Sequence, residues 1–345
     1  MCEQKKTLYF EASYTLDMIS FLDLLFSDNI SKEDEIVTHF EGMLSDQSPI
    51  LMQKARKGMP ENQTFTSMLI PLLTADHEFN DLRLSELLGS PKYLIATFKK
   101  HPDFKKVPKI YKKFIKRQAE SVITHLALII RELEKAKFKS FWLENRLPLI
   151  NQKIRCYEKE IFPLRLVETL NTYVNPLAIE RRNLYISSFY EGDSVTLFNQ
   201  DLMASIQATS SQLIQGIIDQ LNSSLTVEKR LKPYIKAWKS NVDVMEAFKA
   251  VKGEYSTVSA YVEQNIKLAL MAVLYQKFNV IDQPYQYLGR YNFGTHKMSV
   301  LFYHYMETNP KQSKELLQDY LLKVVEESEL ELFETQYVTI MNQQL

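Results

Sequence analysis

Residues Asn183–Phe189 read NLYISSF and residues Ser194–Phe198 read SVTLF, with the turn-forming triplet Glu191-Gly192-Asp193 between them. Leu184, Ile186 and Phe189 alternate only in part, whereas Val195 and Leu197 alternate cleanly. Short alternating runs bounded by Gly, Asn, Asp and Pro read as strands. Asn175-Pro176 marks an earlier turn, and Leu164–Val174, carrying Val167, Leu170, Thr172 and Tyr173, reads as a strand before it. Two or three strands are therefore expected between residues 164 and 198, joined by the weakly alternating Thr7–Phe10.

The rest of the chain reads as helix. Leu16–Phe26 is densely apolar at helical spacing, and Ser31–Leu44 opens on a hydroxyl followed by Glu33, Asp34 and Glu35, as helix starts do. Val107–Lys137 is long and helical with a division near Arg117, and Phe138–Ile161 continues helical with a break at Pro148. Helices resume at about Leu202, where Ile206, Leu213, Ile214, Ile217, Ile218 and Leu221 repeat at helical spacing. Ser256–Phe278 is apolar nearly all round, the pattern of a helix buried on most sides. The expected core is Phe21, Leu25, Ile129, Leu133, Phe189, Leu197, Leu213, Ile217, Ile266, Leu270 and Leu274.

Composition agrees. The 345 residues contain only 8 Gly. That is about 2%, against an average near 7%. Phosphate loops and dinucleotide turns need glycine for positive φ and close backbone approach, and neither GxGxxG nor GxxxxGK[ST] occurs. Lys+Arg and Asp+Glu are 42 each, so no global attraction to polyanions is expected. The two cysteines, Cys2 and Cys156, exclude a disulfide scaffold and a multi-cysteine zinc site. The N-terminus lacks the layout of a signal peptide. The longest apolar runs, Val122–Ile130 and Leu268–Tyr275, fall short of the roughly 18–20 residues of a membrane span. A soluble cytoplasmic protein without a membrane partner or cofactor is expected. The fold expected is α+β, predominantly α-helical, with a small sheet preceding an amphipathic helix. It is arranged as a helical half, 1–163, and a second half, 164–345, or as one compact domain.

Two features bear on function. The first is a basic run, Lys99, Lys100, Lys105, Lys106, Lys109, Lys112, Lys113, Lys116 and Arg117, interleaved with Phe104, Tyr111 and Phe114. Lysines neutralise phosphates and rings stack on bases, so nucleic acid or another anion is one reading. The same aromatics also fit one buried helical stripe, which leaves the lysines as a solvated face. Glu326, Glu327, Glu329, Glu331 and Glu334 form an acidic counterpart, and an intramolecular match would explain the zero net charge. The histidines form no HExxH; His296 and His304 stand at a poor spacing for a shared metal.

The second is the order of elements from Leu164 to Phe278: strands, an amphipathic helix, a helical insertion and a buried helix. With Ser211-Gln212-Leu213-Ile214-Gln215 on the first helix and Glu263 on the second, this order resembles the catalytic core of gluzincin zinc metallopeptidases. The resemblance implies that Ser211, Gln212 and Gln215 stand where that family has HExxH, and Glu263 where it has its third zinc ligand. Two histidines one helical turn apart bind zinc and the glutamate between them activates water. Serine hydroxyl and carboxamide are poor zinc ligands, and an amide accepts no proton as a base. The resemblance therefore implies a vestigial cleft of Ser211, Gln212, Gln215 and Glu263, with no metal and no catalytic residue.

The leading expectation is a catalytically inactive gluzincin-like protein that binds a peptide or protein. The alternative is a helical module that binds nucleic acid or another anion through Lys105, Lys106, Lys109, Lys112, Lys113 and Lys116. A third is an enzyme assembled from scattered residues such as Glu263, Tyr255, Tyr261 and His296. No oligomeric state follows from the sequence.

Overall fold

A computed structural model describes residues 8–25, 34–75, 88–173, 182–197, 201–224, 231, 233–234, 238–251, 253–312, 314–328 and 332–344. The chain divides into two compact units, Met1–Lys159 with Arg181–Ala208, and Glu160–Glu180 with Thr209–Leu345.

The first unit begins with strand β1 (Leu8–Ala12) and helix α1 (Tyr14–Leu25). It continues through α2 (Asp34–Glu41), α3 (Ser48–Lys57), α4 (Phe65–Thr74), α5 (Pro91–Lys100), α6 (Lys109–Arg117), α7 (Ala119–Lys135), α8 (Phe138–Phe141) and α9 (Leu147–Ile161). Strands β2 (Arg182–Ser187), β3 (Ser194–Thr196) and β4 (Leu202–Ser205) complete it. The sheet order is β1-β2-β4-β3, with β1, β2 and β4 parallel and β3 an antiparallel edge. Leu8 pairs with Arg182 and Ala12 with Ile186, so the N-terminal strand is a full member of the sheet. The division expected at 163 put the sheet in the second half. Direct pairing of β1 with β2 places it with the N-terminal helices instead.

Helix α1 is buried on nearly every side, and its Asp17 is 0% exposed. Burying a carboxylate requires donors. Trp142 Nε1–H donates to Asp17 Oδ2 (2.6 Å), Ser188 donates its N–H to Oδ1 and its hydroxyl to Oδ2 (both 2.7 Å), and the Ser187 hydroxyl also donates. The carboxylate thus ties α1 to the end of β2 and to Trp142. Beside it lies an aromatic core: the Phe21 ring sits 4.6 Å from Phe138, 5.0 Å from Phe189 and 5.8 Å from Phe40.

The second unit contains α10 (Leu166–Tyr173), α11 (Ser210–Ser224), α12 (Val242–Ala250), α13 (Val258–Lys277), α14 (Pro284–Arg290), α15 (Lys297–Thr308), α16 (Leu317–Glu327) and α17 (Phe333–Gln344). Helix α13 is its axis, capped by Thr257, whose hydroxyl accepts from Ala260 N–H, and buried along most of its length. Asn265, fully buried on α13, accepts from the Ser299 N–H at 3.0 Å and so holds the start of α15. Every expected core residue is buried.

Three expectations differ from the structure. Leu164–Val174 is not a strand: Leu166–Tyr173 is helix, with Leu166, Val167 and Leu170 buried on one helical face. The β-branched and aromatic residues that suggested a strand are spaced for either period. Helix does not resume at Leu202: Leu202–Ser205 is β4, an inner strand buried throughout, and helix starts at Ser210. A strand covered on both faces loses its alternation, so it merges with the apolar run that follows. The break expected at Pro148 is not seen: a π-helical turn at Trp142–Arg146 runs directly into α9, with Leu147 N–H donating to Trp142 O, and Pro148 follows that turn within continuous helix. The Ser31 cap, residues 83–87, and most of residues 225–237 fall outside the described residues. No helix among the described residues is long and apolar enough to cross a membrane.

Candidate functional site

Helix α11 carries the stretch Ser211–Gln215, and its start explains one of those residues. Thr209 and Gln212 form a reciprocal capping box: Gln212 N–H donates to Thr209 Oγ1 (3.1 Å) and Thr209 N–H donates to Gln212 Oε1 (2.7 Å). Helix starts leave N–H groups without partners, and Thr-x-x-Gln satisfies two at once. Gln212 is therefore occupied at the helix start. Ser211 is exposed one residue before it, and Gln215 lies half-buried one turn further on.

Gln215 faces a residue the sequence reading did not single out. The Tyr275 hydroxyl on α13 donates to Asp219 Oδ1 on α11, and Gln215 hydrogen-bonds the same tyrosine. Burial raises the Asp219 carboxyl above its ordinary range, and the Tyr275 donor only partly offsets this. Burial, and then Asp219, drive the Tyr275 phenol far above its ordinary range. Tyr287 follows at 5.8 Å between ring centroids and 76° to Tyr275, and Tyr291 at 6.1 Å and 60° to Tyr287. Tyr287 is pushed up to about 12, chiefly by burial and also by Tyr291 and Asp219.

Glu263 is not brought to this place. It is 9% exposed and pairs with Lys267 at 2.8 Å, one turn along α13. It also stands three turns ahead of Tyr275, about 18 Å along the helix axis. Of the scattered set, Tyr255, Tyr261 and His296 do meet: the His296 ring centroid lies 5.7 Å from Tyr255 and 5.6 Å from Tyr261. The Thr295 hydroxyl donates to Asn292 O (2.8 Å), so it accepts from His296 Nδ1–H (3.2 Å), and His296 Nε2 accepts from the Tyr255 hydroxyl (2.9 Å). This network assigns the neutral tautomer, and burial lowers the His296 pKa, which favours the same form. His296 is 0% exposed immediately before α15, and both ring nitrogens are hydrogen-bonded within the protein, to Thr295 and Tyr255.

The basic run is resolved into two faces. Tyr111 and Phe114 are buried, with the Tyr111 hydroxyl donating to Met68 O at 2.5 Å, and Phe104 packs on Phe98 at 5.5 Å. The rings are thus core contacts. Lys105, Lys109, Lys113 and Lys116 are exposed, while Lys112 donates to Lys105 O at 2.7 Å. The Lys106 side chain falls outside the described residues. Of the acidic residues near the C-terminus, Glu326 accepts from Tyr234 and Glu334 pairs with Lys297 at 2.5 Å.

In the first unit a cleft of about 480 Å³ opens beside the β2–β3 connection, lined by Asp23, Arg56, Glu61, Phe65, Tyr190 and Glu191 among others. Asp23 accepts from the Phe65 N–H (2.6 Å) and the Thr66 N–H (2.9 Å), so its carboxylate also serves the start of α4. Among the described residues no group of three His, Cys, Asp or Glu is placed to hold a metal ion.

The fold and its sites define a mostly helical α+β protein with a small mixed sheet. No family description, no curated protein and no solved structure matches the chain.

Proposed function

We propose that the chain is a catalytically inactive, gluzincin-like protein that acts by binding a peptide or protein partner. The observation that supports it most is the state of the three positions corresponding to HExxH. Ser211 is an exposed hydroxyl, Gln212 is committed to the helix cap, and Gln215 bonds Tyr275. None of these side chains both ligates zinc well and deprotonates water. Order along the chain supports the relationship: a mixed sheet with an antiparallel edge strand, then α11, then a helical insertion, then the buried α13. For a partner, the first unit offers a cleft of ligand size with both charges on its walls, beside an edge strand whose outer backbone groups are unpaired within the sheet.

The test is to expose the purified protein to a random peptide library, recover retained peptides and read their masses. The expected result is a selected set of peptides, all intact, with retention weakened when Tyr190→Ala alters the cleft. Cleaved peptides, or no selection at all, overturn the proposal.

A further inference from the structure

Arg146, Leu149, Lys153 and Cys156 follow one another at intervals of three and four residues, so they share one helical face. That face runs from the π-helical turn into α9. Together with Ser188, which follows the last residue of β2, and Ile206, which follows the last residue of β4, it lines a cavity of about 320 Å³. The cavity thus sits at the carboxyl ends of two adjacent parallel strands, a common place for ligands in sheets with parallel strands. Both charged residues on its wall, Arg146 and Lys153, are cations, and no Asp or Glu among the described residues lines it. Ring faces position both heads: the Lys153 ammonium lies 4.8 Å from the Tyr157 centroid and the Arg146 guanidinium 4.9 Å from that of Phe189. Tyr157 is itself fixed, because its hydroxyl donates to Ala208 O (2.7 Å). A ring face attracts an ammonium without neutralising it, and Lys153 meets no carboxylate among the described residues.

We infer that this cavity binds a small dicarboxylate, two carboxylate groups joined by a short apolar chain. Arg146 and Lys153 stand two helical turns apart, about 10 Å along the axis. A compact anion such as sulfate engages one of them at a time, whereas two carboxylates on a chain engage both. Arg146 offers a planar fork that matches a carboxylate, and Lys153 a point charge. Between them, exposed Leu149 and half-buried Ile206 supply apolar surface for the connecting chain. The exposed Gln152 and Gln207 on the same walls add amide donors. Ser188 adds none, because its N–H and its hydroxyl both go to Asp17. The volume lies near the lower end for ligand pockets, which suits a molecule of this size. The cavity shares no described lining residue with the cleft beside Tyr190, so the inference stands apart from the peptide-binding proposal.

The experiment is calorimetric titration of the full chain with succinate, glutarate and adipate at low ionic strength. Pentanoate, which has the chain but one charge, and sulfate, which has the charge but no chain, are the controls. The expected result is binding of at least one dicarboxylate, about tenfold or more tighter than either control. Arg146→Gln and Lys153→Gln each weaken it by about tenfold. Unfolding midpoints establish that the variants fold; Lys153 is recorded against a ring face alone, so Lys153→Gln keeps the test decisive if Arg146→Gln unfolds. Cys156 locates the ligand. It is exposed on the same wall, so a bound dicarboxylate slows its alkylation by N-ethylmaleimide, read from the mass of the peptide that carries it. No binding of any of the three acids, equal binding of pentanoate or sulfate, binding unchanged in the folded variants, or unchanged alkylation of Cys156 at saturation overturns the inference and leaves the peptide-binding proposal unaffected.

Discussion

Asp17→Ala destabilises the sheet-bearing unit by about 3 kcal/mol or more, which lowers its melting temperature by about 6–12 °C. The magnitude follows from what remains after truncation. Trp142 Nε1–H, the Ser188 N–H and both serine hydroxyls lose their acceptor in a place without water access, and each stranded donor carries its desolvation penalty. Asp17→Asn is milder but not neutral, because the new amide sets N–H groups against donors. The carboxyl also carries a pH signature. Burial outweighs the donors and holds the folded pKa above the ordinary 3.8. The folded state then takes up a proton more readily than the unfolded chain. Stability from this group is therefore greatest at pH values below the unfolded pKa and declines as pH rises through the folded one. Chemical denaturation of wild type and variants across pH measures both effects; a loss under about 1 kcal/mol for Asp17→Ala contradicts the hub assignment.

Phe21→Ala is the second large effect. The ring is fully buried and contacts Phe40, Phe138 and Phe189, which come from three separate parts of the first unit. Truncation removes both the transfer free energy of the ring and the contacts its neighbours make with it. Aromatic-to-alanine changes at such sites cost about 3–5 kcal/mol. Phe21→Leu refills most of the volume and recovers much of the loss. Equal stability of the alanine and leucine variants would show that the cluster is not packed around this residue.

The core was legible because burial leaves a period in the sequence. Phe21, Ile129, Leu133, Ile266 and Leu270 were expected inside from helical spacing alone, and all are buried. The edge strand at Ser194–Thr196 was legible from the alternation of Val195 and Leu197 and the turn triplet Glu191-Gly192-Asp193 before it. The inner strand Leu202–Ser205 was not, because burial on both faces erases the alternation. Thr209-Ser210-Ser211-Gln212 carries a readable capping-box signature, and this accounts for Gln212 without reference to any lost catalytic motif. The Asp219–Tyr275 pair was out of reach: its members lie 56 residues apart on two helices, and only packing of α11 against α13 brings them together. What was visible was the i, i+4 spacing of Gln215 and Asp219, which puts both on one helical face.

The central proposal is a gluzincin-like protein with no working metal centre at Ser211, Gln212 and Gln215. Elemental mass spectrometry of the purified protein, before and after dialysis against zinc and washing, tests it most directly. The account predicts no stoichiometric metal in either sample. Close to one zinc per chain that survives washing would contradict it, and would mean that ligands other than Ser211 and Gln215 assemble a metal site in this chain.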